Sequence, residues 1–310
     1  MWDIVPRKVL VGIETADCLP ALSLAAEEAV RRGSGVHLMH VLPTIHASHP
    51  HIDELELVAG ELQRAGAAVV GGAARTMQRL LPDDLVVSTE LRHGTVFRSL
   101  VEASAHACLL VLQHRDRRHD GLSHLLPTIH SVVASAHCPV LVVPQTWQSE
   151  ESAERPLVLA GVDVATRSSH VVQVALAEAA MRHARVRLVH GAKGPLGGVE
   201  DIHPTAYAAW LLRVQRELEA DFSALTGSQP DVAVELEVVP EAPATALVAK
   251  ARGAAVVVMG RGHRGLPFVR RLGPVTGEVL RLAACPVLVV DEKPPTPAPR
   301  AREPRRATIA

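Results

Sequence analysis

The sequence predicts an α/β fold made of two tandem, doubly wound domains, each with a five-stranded parallel sheet flanked by helices. Two observations lead to this prediction. Short motifs occur twice along the chain in the same order, and in each copy short β-branched runs alternate with longer segments of helical period. Strands that alternate with helices need crossover connections, which produce parallel sheets covered on both faces.

The repeat rests on four pairs of anchors, offset by 147 to 150 residues. A period of this length indicates two whole domains rather than a solenoid. The pairs are 9–14 with 159–163, 38–40 with 188–190, 100–101 with 247–248, and 138–143 with 285–290.

The 310-residue length suits two domains of about 150 residues each. We expect the first at 1–144 and the second at 156–291. The segment 145–155, rich in Ser and Glu, is expected to be a linker. The segment 292–310, rich in Pro and Arg, is expected to be a disordered tail.

Ten runs have the character of buried strands. In open parallel sheets, ligands lie beyond the carboxyl ends of the strands, so the loops after the first, second and fourth strands of each copy are the candidate sites. The expected strands are 8–13, 36–41, 85–89, 108–112 and 140–143, then 157–162, 186–189, 232–238, 255–259 and 287–290.

Composition disfavours several classes of protein. The 32 basic and 33 acidic residues give a net charge of -1, which argues against a nucleic-acid partner. Only 2% of residues are aromatic, which argues against a base-stacking surface for single-stranded nucleic acid. No apolar run reaches the roughly 18 residues of a membrane span, so we expect no membrane partner. The isolated cysteines and the absence of a signal peptide predict a cytoplasmic protein with buried thiols.

A glycine-rich loop follows the fourth strand of the second copy. It begins Gly260-Arg261-Gly262-His263-Arg264 and continues to Gly273, ahead of a helical segment. Such a turn before a helix N-terminus can bind an anion through backbone N–H groups and the helix dipole. The alternative is that the glycines permit a tight turn and the arginines are solvated, and glycine spacing alone favours this alternative.

Taken together, these motifs resemble the universal stress protein family, in particular its tandem-domain members. The resemblance covers both copies, roughly 7–144 and 156–291. It is carried by Gly-Val-Asp at 161–163, Leu-Val-His at 188–190, the glycine loop, and Cys-Pro-Val-Leu-Val-Val at 285–290.

The resemblance implies a ligand class: many members bind ATP. An aspartate after the first strand and backbone near the end of the second hold the adenosine. A Gly-x2-Gly-x9-Gly-[Ser/Thr] loop holds ribose and phosphates. In this chain Asp163 and Gly191 match the first two positions, and Gly260 and Gly273 match the ends of the loop. ATP or another adenine nucleotide is therefore the implied cofactor.

Two departures from the family pattern affect this site. The middle glycine position holds His263, with Gly262 one residue early, and the Ser/Thr position holds Pro274, which has no N–H. Arg261 and Arg264 are expected to compensate through charge-assisted contacts with phosphate.

The first copy departs further from the family pattern. Gln113 stands where Gly260 stands, Glu14 replaces Asp163, and the loop carries Asp116 and Asp120, which would repel a triphosphate. We expect this copy not to bind nucleotide by this route and to serve as a structural or partner-binding half.

Other clusters have simpler interpretations. His46, His49 and His51 suit a solvated loop better than a metal site, and Cys138 and Cys285 suit buried thiols better than nucleophiles. Asp163 itself could instead cap the helix that follows it. We therefore predict no catalytic residues and no metal, and the sequence specifies no enzyme, with slow ATP hydrolysis as the most it would support.

Two functions stay open at this point. One is a nucleotide-binding sensor or regulator of a stress response, and the other is a nucleotide-free scaffold that acts through protein partners as yet unknown. The resemblance also implies that the final strands, 140–143 and 287–290, pair as an internal pseudo-dimer. A homodimer of two chains is a further assembly that the sequence leaves open.

Overall fold

The computed structural model describes residues 7–44, 52–114, 125–148, 156–192, 204–262 and 271–292. The first half contains β1 (Lys8–Ile13), α1 (Leu19–Arg32), β2 (Val36–Leu42), α2 (Ile52–Leu80), β3 (Val87–His93), α3 (Val96–Ser104), β4 (Ala107–His114), α4 (Leu125–Ser135) and β5 (Val140–Pro144). The second half contains β6 (Leu157–Gly161), α5 (Ala165–Arg182), β7 (Arg185–Gly191), α6 (Pro204–Thr226), β8 (Val234–Val239), α7 (Pro243–Lys250), β9 (Val256–Gly260), α8 (Pro274–Leu282) and β10 (Val287–Val290).

The strands of both halves form one sheet in the order β3-β2-β1-β4-β5-β10-β9-β6-β7-β8. Every neighbouring pair is parallel except β5 and β10, which are antiparallel. The prediction of two α/β halves with five parallel strands each is confirmed. In each half the first strand lies between the second and the fourth. The connections on its two sides therefore run to opposite faces of the sheet, and this switch point leaves a crevice at the carboxyl ends of the strands.

The seam between the halves is the β5–β10 pair. Leu141 lies opposite Leu288, and Val142 lies opposite Val287. All four side chains are buried, so each final strand covers an apolar edge that its partner would otherwise expose. The predicted internal pseudo-dimer through the final strands is confirmed.

The core is aliphatic and lies on both faces of the sheet. On β1, Val9 and Val11 pack into the cluster that includes α1 and α5, while Leu10 points into the opposite cluster. Because both faces of these strands are buried, their sequences are continuous apolar runs rather than alternating ones. This is why the central strands are readily visible in the sequence.

The starts of the two edge strands differ most from the prediction. β3 and β8 both begin two residues later than expected, because Leu85 and Val232 take part in turns, in which their N–H groups donate to Pro82 and Gln229. β3 then extends to His93 through half-exposed polar positions. Edge strands bury less surface, so the apolar run marks their boundaries poorly.

A charged network crosses the boundary between the halves. Arg32 donates to Glu178 at 2.6 Å, and Arg182 donates to Glu28, while each arginine also bonds the glutamate of its own helix. Glu178 and Arg182 stand 150 residues after Glu28 and Arg32, so the network has the approximate two-fold symmetry of the repeat. Glu28 and Glu178 are buried.

Several predictions fall on segments that are only partly described. Of the predicted linker, residues 145–148 are described, and Trp147 packs against both core clusters. Residues 149–155, the three loop histidines at 46, 49 and 51, and the predicted tail beyond Glu292 lie outside the described residues. Within the described part of the chain, no helix is both long enough and apolar enough to cross a membrane.

Candidate functional site

A cleft of ≈ 410 Å³ opens at the carboxyl ends of β6, β7 and β9. It brings together five of the residues predicted from the sequence. These are Asp163, Gly191, Gly260, Gly262 and Gly273. The cleft is also lined by side chains that sequence reasoning did not assign to it, among them Arg167, His190, Thr276 and Glu292.

Asp163 follows β6 at the floor of the cleft. Its backbone N–H donates to Ser168 Oγ at 2.8 Å, and its carboxylate is paired with Arg167 one helical turn later. The N-cap of α5 is Val164, which makes no side-chain cap hydrogen bond. The alternative role of Asp163 as a helix cap is therefore not the one that the structure shows. Its carboxylate lies half-exposed in the cleft, with Arg167 as its counter-charge.

Gly191 ends β7 where the backbones of two segments approach closely. A Cβ added at this position would lie 2.5 Å from Pro243 Cα, so any side chain would force the segments apart. The neighbouring His190 donates through Nδ1 to the carbonyl of Val162 at 3.0 Å, which ties the ends of β6 and β7 together. The wall of the cleft at this point is therefore bare backbone.

The glycine loop is closed at its base by direct backbone contact. The Gly273 N–H donates to the Arg261 carbonyl at 2.7 Å, and a Cβ at Gly273 would lie 2.7 Å from the Gly262 carbonyl oxygen. Gly262 has a φ of +68°, which is in the left-handed region that favours glycine. The buried Thr276 hydroxyl donates to the Gly260 carbonyl at 2.8 Å and fixes the start of the loop.

Helix α8 begins at Pro274 beside this loop, and its first turn lines the cleft. Gly277 is the residue whose N–H donates to Gly273, so the amides of Val275 and Thr276 precede the first intrahelical bond. N–H groups at the start of a helix and the positive end of its dipole favour an anion. Pro274 contributes no donor.

The family was identified by comparison with known proteins. The model of the universal stress protein family matches residues 6–144 and 156–291. The chain belongs to this family. It is 29% identical over 288 residues to a universal stress protein of Mycolicibacterium smegmatis, covering 91% of this chain and 96% of that one. It is also 29% identical over 294 residues to one of Mycobacterium tuberculosis, covering 92% and 98%.

A solved structure shows the same fold over nearly the whole chain. The crystal structure of a universal stress protein from Archaeoglobus fulgidus superimposes with a TM-score of 0.61 at 16% identity, covering 92% of this chain and 97% of that one. A putative universal stress protein from Pseudomonas aeruginosa gives 0.56 at 22% identity, covering 92% and 93%. At these identities the likeness establishes the architecture of the tandem fold.

In this universal stress protein the Arg261 side chain does not line the cleft. It is completely buried at the seam, where Nη1 donates to Asp291 at 2.8 Å and Nη2 donates to the Cys138 carbonyl at 2.9 Å. Our expectation that its guanidinium contacts phosphate is thus contradicted by its placement. His263 and Arg264, the other predicted side chains of the loop, lie outside the described residues.

The first half of this universal stress protein has a different arrangement at the equivalent position. Gln113 stands where Gly260 stands in the second half. Its Nε2 donates to the Asp17 carbonyl at 2.8 Å, and its Oε1 accepts the Ala21 N–H of α1 at 3.4 Å. The side chain therefore occupies space that a glycine leaves open.

The cysteines are free, and three of them are well buried. Burial raises the pKa of Cys138 and of Cys285 to about 12, and burial together with the charge of Asp17 raises the pKa of Cys18 to about 11. These three thiols stay protonated at neutral pH, which matches the prediction of buried thiols, whereas Cys108 is only half-buried. Among the described residues, no group of three His, Cys, Asp or Glu side chains is placed to hold a metal ion.

Proposed function

We propose that this universal stress protein binds an adenine nucleotide, ATP or a close relative, in the cleft of its second half, and that binding regulates its part in a stress response. The observation that carries this proposal is the convergence of Asp163 and the four predicted glycines around one ≈ 410 Å³ cleft beside the α8 N-terminus. The volume lies within the range of small-molecule sites.

The adenosine end of the nucleotide is assigned to the Asp163 side of the cleft. A carboxylate accepts hydrogen bonds from hydroxyl or amino groups, and that of Asp163 lies half-exposed beside its partner Arg167. Gly191 lines this wall, with its backbone packed closely against Pro243. Ribose or adenine would therefore meet acceptors and bare main chain here.

The phosphates are assigned to the end of the cleft formed by the glycine loop and α8. The amides of Val275 and Thr276 supply donors, and Gly260 and Gly262 keep side chains out of the path. Glu292 lines the same cleft and opposes a phosphate, while Arg167 offsets part of that charge. This balance predicts modest affinity.

A second candidate is a nucleotide-free scaffold that acts through protein partners. The base of the glycine loop favours it. The Gly273 N–H is already bonded to the Arg261 carbonyl, and Pro274 has no N–H at all. These two adjacent backbone positions therefore cannot donate a hydrogen bond to a phosphate. On this view the cleft is a feature of the fold and holds no nucleotide.

Calorimetric titration of the full chain with ATP, ADP and AMP separates the two candidates. We expect saturable binding of at least one nucleotide, and in Asp163→Asn a loss of about tenfold or more, because hydrogen bonds to charged groups contribute about 1.5–3 kcal/mol. The matched control is Glu14→Gln, which changes the equivalent position of the first half and is expected to leave nucleotide binding unaltered. No heat at millimolar nucleotide would eliminate the nucleotide proposal in favour of the scaffold.

A further inference from the structure

Arg261 belongs to two parts of the molecule at once. Its guanidinium is fully buried at the seam, where it donates to the Asp291 carboxylate at 2.8 Å and to the Cys138 carbonyl at 2.9 Å. Its main-chain carbonyl lies at the base of the glycine loop and accepts the Gly273 N–H at 2.7 Å. One residue therefore joins the seam to the end of the cleft that is assigned to phosphate.

These two partners of the guanidinium face each other across the seam. In the antiparallel β5–β10 pair, Val289 lies opposite Val140. Continuing that register by two residues places Asp291 opposite Cys138. One partner thus belongs to the second half and the other to the first, and the guanidinium can keep both bonds only while the halves stay docked in this register.

Burial makes these bonds demanding. A buried charge is costly unless it is paired and hydrogen-bonded, and the Arg261 side chain has no exposed surface. The planar guanidinium presents several donors in a fixed geometry, so it can bond a carboxylate and a carbonyl at the same time. The position of Arg261 is therefore held by acceptors on both sides of the seam.

The main chain carries this position into the loop. The Arg261 N–H donates to the Val290 carbonyl at 3.0 Å and so extends the pairing of β9 with β10. Gly262 follows, and its carbonyl oxygen is only 2.7 Å from where a Cβ of Gly273 would lie. The Gly273 carbonyl in turn accepts the N–H of Gly277 in the first turn of α8. A shift of Arg261 would therefore move both ends of the loop and the start of the helix.

The first half lacks the residues for an equivalent bridge. At the repeat offset of 147, His114 stands where Arg261 stands, and Pro144 stands where Asp291 stands. Proline has no carboxylate, so an arginine–carboxylate pair cannot form between these two positions. The bridge is specific to the half that carries the glycine loop.

We infer that Arg261 is a positioning residue for the phosphate end of the second-half cleft. It holds the glycine loop in register with the seam, so the first half takes part in nucleotide binding without lining the cleft. The inference rests on the proposed nucleotide site. The alternative is that Arg261 stabilises the seam and has no influence on the loop.

Arg261→Met should weaken the binding of phosphates more than that of adenosine. In calorimetry of the full chain we expect ATP to bind about tenfold more weakly and AMP about threefold or less, because misplaced backbone donors lose bonds to charged phosphate oxygens. Asp163→Asn, at the adenosine side, should weaken both nucleotides alike. Arg261→Lys keeps the charge and should recover part of the ATP affinity. Unchanged ATP binding in Arg261→Met, or equal weakening of ATP and AMP, would overturn the inference.

Two further variants keep the test decisive if Arg261→Met does not fold. Asp291→Ala removes the carboxylate partner at a half-exposed side chain, and should lower the ratio of ATP affinity to AMP affinity about threefold. Arg281→Met, in an exposed pair with Glu278 on α8, is the matched control and should leave this ratio unchanged. An unchanged ratio in Asp291→Ala, or an equal change in Arg281→Met, would contradict the inference.

Hydrogen exchange separates this inference from the nucleotide proposal. Without nucleotide, the amides of residues 271–277 should exchange about tenfold faster in Arg261→Met than in the wild type, because the acceptor of the Gly273 N–H is no longer fixed. The amides of β1 and β7 should keep their rates. No nucleotide binding by the wild type would eliminate the proposed function, and these amides would still decide the positioning role. Unchanged exchange at 271–277, or an equal increase along the whole chain, would overturn it.

Discussion

Arg32 on α1 donates a hydrogen bond to Glu178 on α5 across the boundary between the halves, at an Nη2–Oε1 distance of 2.6 Å. The repeat places Arg182 and Glu28 in the reciprocal pair. Arg31 also bonds Glu28 and Glu27, so three arginines and three glutamates meet in one network, in which Glu28 and Glu178 are buried. Such a network adds registry to the apolar seam, because the charges are satisfied only when the two helices are correctly aligned.

Removing one member of this network should destabilise the protein strongly. In Glu178→Gln, the nearly buried Arg182 keeps only one of its two carboxylate partners, that of Glu28. We expect the free energy of unfolding to fall by about 3 kcal/mol, the range for a broken buried pair. Urea denaturation measures it. The control is Glu235→Gln, which removes the exposed pair with Arg187 and should cost about 1 kcal/mol or less. Equal effects of the two variants would show that the network is not stabilising.

A charge inside the seam should separate the halves. Val289 lies opposite Val140 and is fully buried, so Val289→Asp places an unpaired carboxylate between β5 and β10. We expect a lower unfolding midpoint and faster proteolytic cleavage between residues 148 and 156. Val86→Asp, at a position with 63% exposure, is the control. Unchanged stability and cleavage in Val289→Asp would contradict the assigned role of the seam.

His130 should make stability depend on pH. It lies on α4 close to Gly277 of α8, and burial lowers its pKa below the ordinary 6.5. The folded state then binds fewer protons than the unfolded state. The stability that the neutral ring contributes is present above pH 6.5 and is lost as the pH falls through the folded pKa.

Denaturation between pH 7.5 and 5 checks this. The wild type should lose more stability on acidification than His130→Gln, while the exposed His106→Gln controls for removal of an imidazole elsewhere. Parallel pH curves for the wild type and His130→Gln would show that His130 is not the group responsible.

The four thiols should differ in reactivity. Cys138 and Cys285 are buried with pKa values raised to about 12, and Cys18 is buried with a value raised to about 11, whereas Cys108 is half-buried. Because the thiolate is the reactive form, iodoacetamide at pH 8 should label Cys108 first in the folded protein and all four cysteines in urea. Mass spectrometry reads out the sites, and early labelling of Cys285 would contradict the burial assigned to it.

Sequence reasoning reached the fold because the repeat and the doubly buried strands leave strong local signals. Val9 and Leu10 on β1 pack on opposite faces, so their run is continuously apolar. Edge strands such as β3 expose polar side chains, so their first and last residues are hard to predict from an apolar pattern. The Glu-x3-Arg pattern at residues 28–32 and 178–182 was present in the sequence, but only the packing of α1 against the other half shows that these charges meet.

The site was predicted at the level of backbone rather than of side chains. Gly191 and Gly273 were assigned through their match to the family pattern, and the structure shows close backbone approach at both positions. The direction of Arg261 could not be predicted, since it depends on the Cys138 carbonyl and on Asp291, which only the seam brings together. Arg167 was missed for the same reason: its pairing with Asp163 requires the start of α5 to be placed first.

The number of nucleotides bound by each chain tests the central claim most directly. Native mass spectrometry of the full chain with excess ATP should show one nucleotide per chain, held by the second-half cleft and lost in Asp163→Asn. Two nucleotides per chain, or one that is retained in Asp163→Asn but lost in Glu14→Gln, would contradict the account that only the second half kept a nucleotide site.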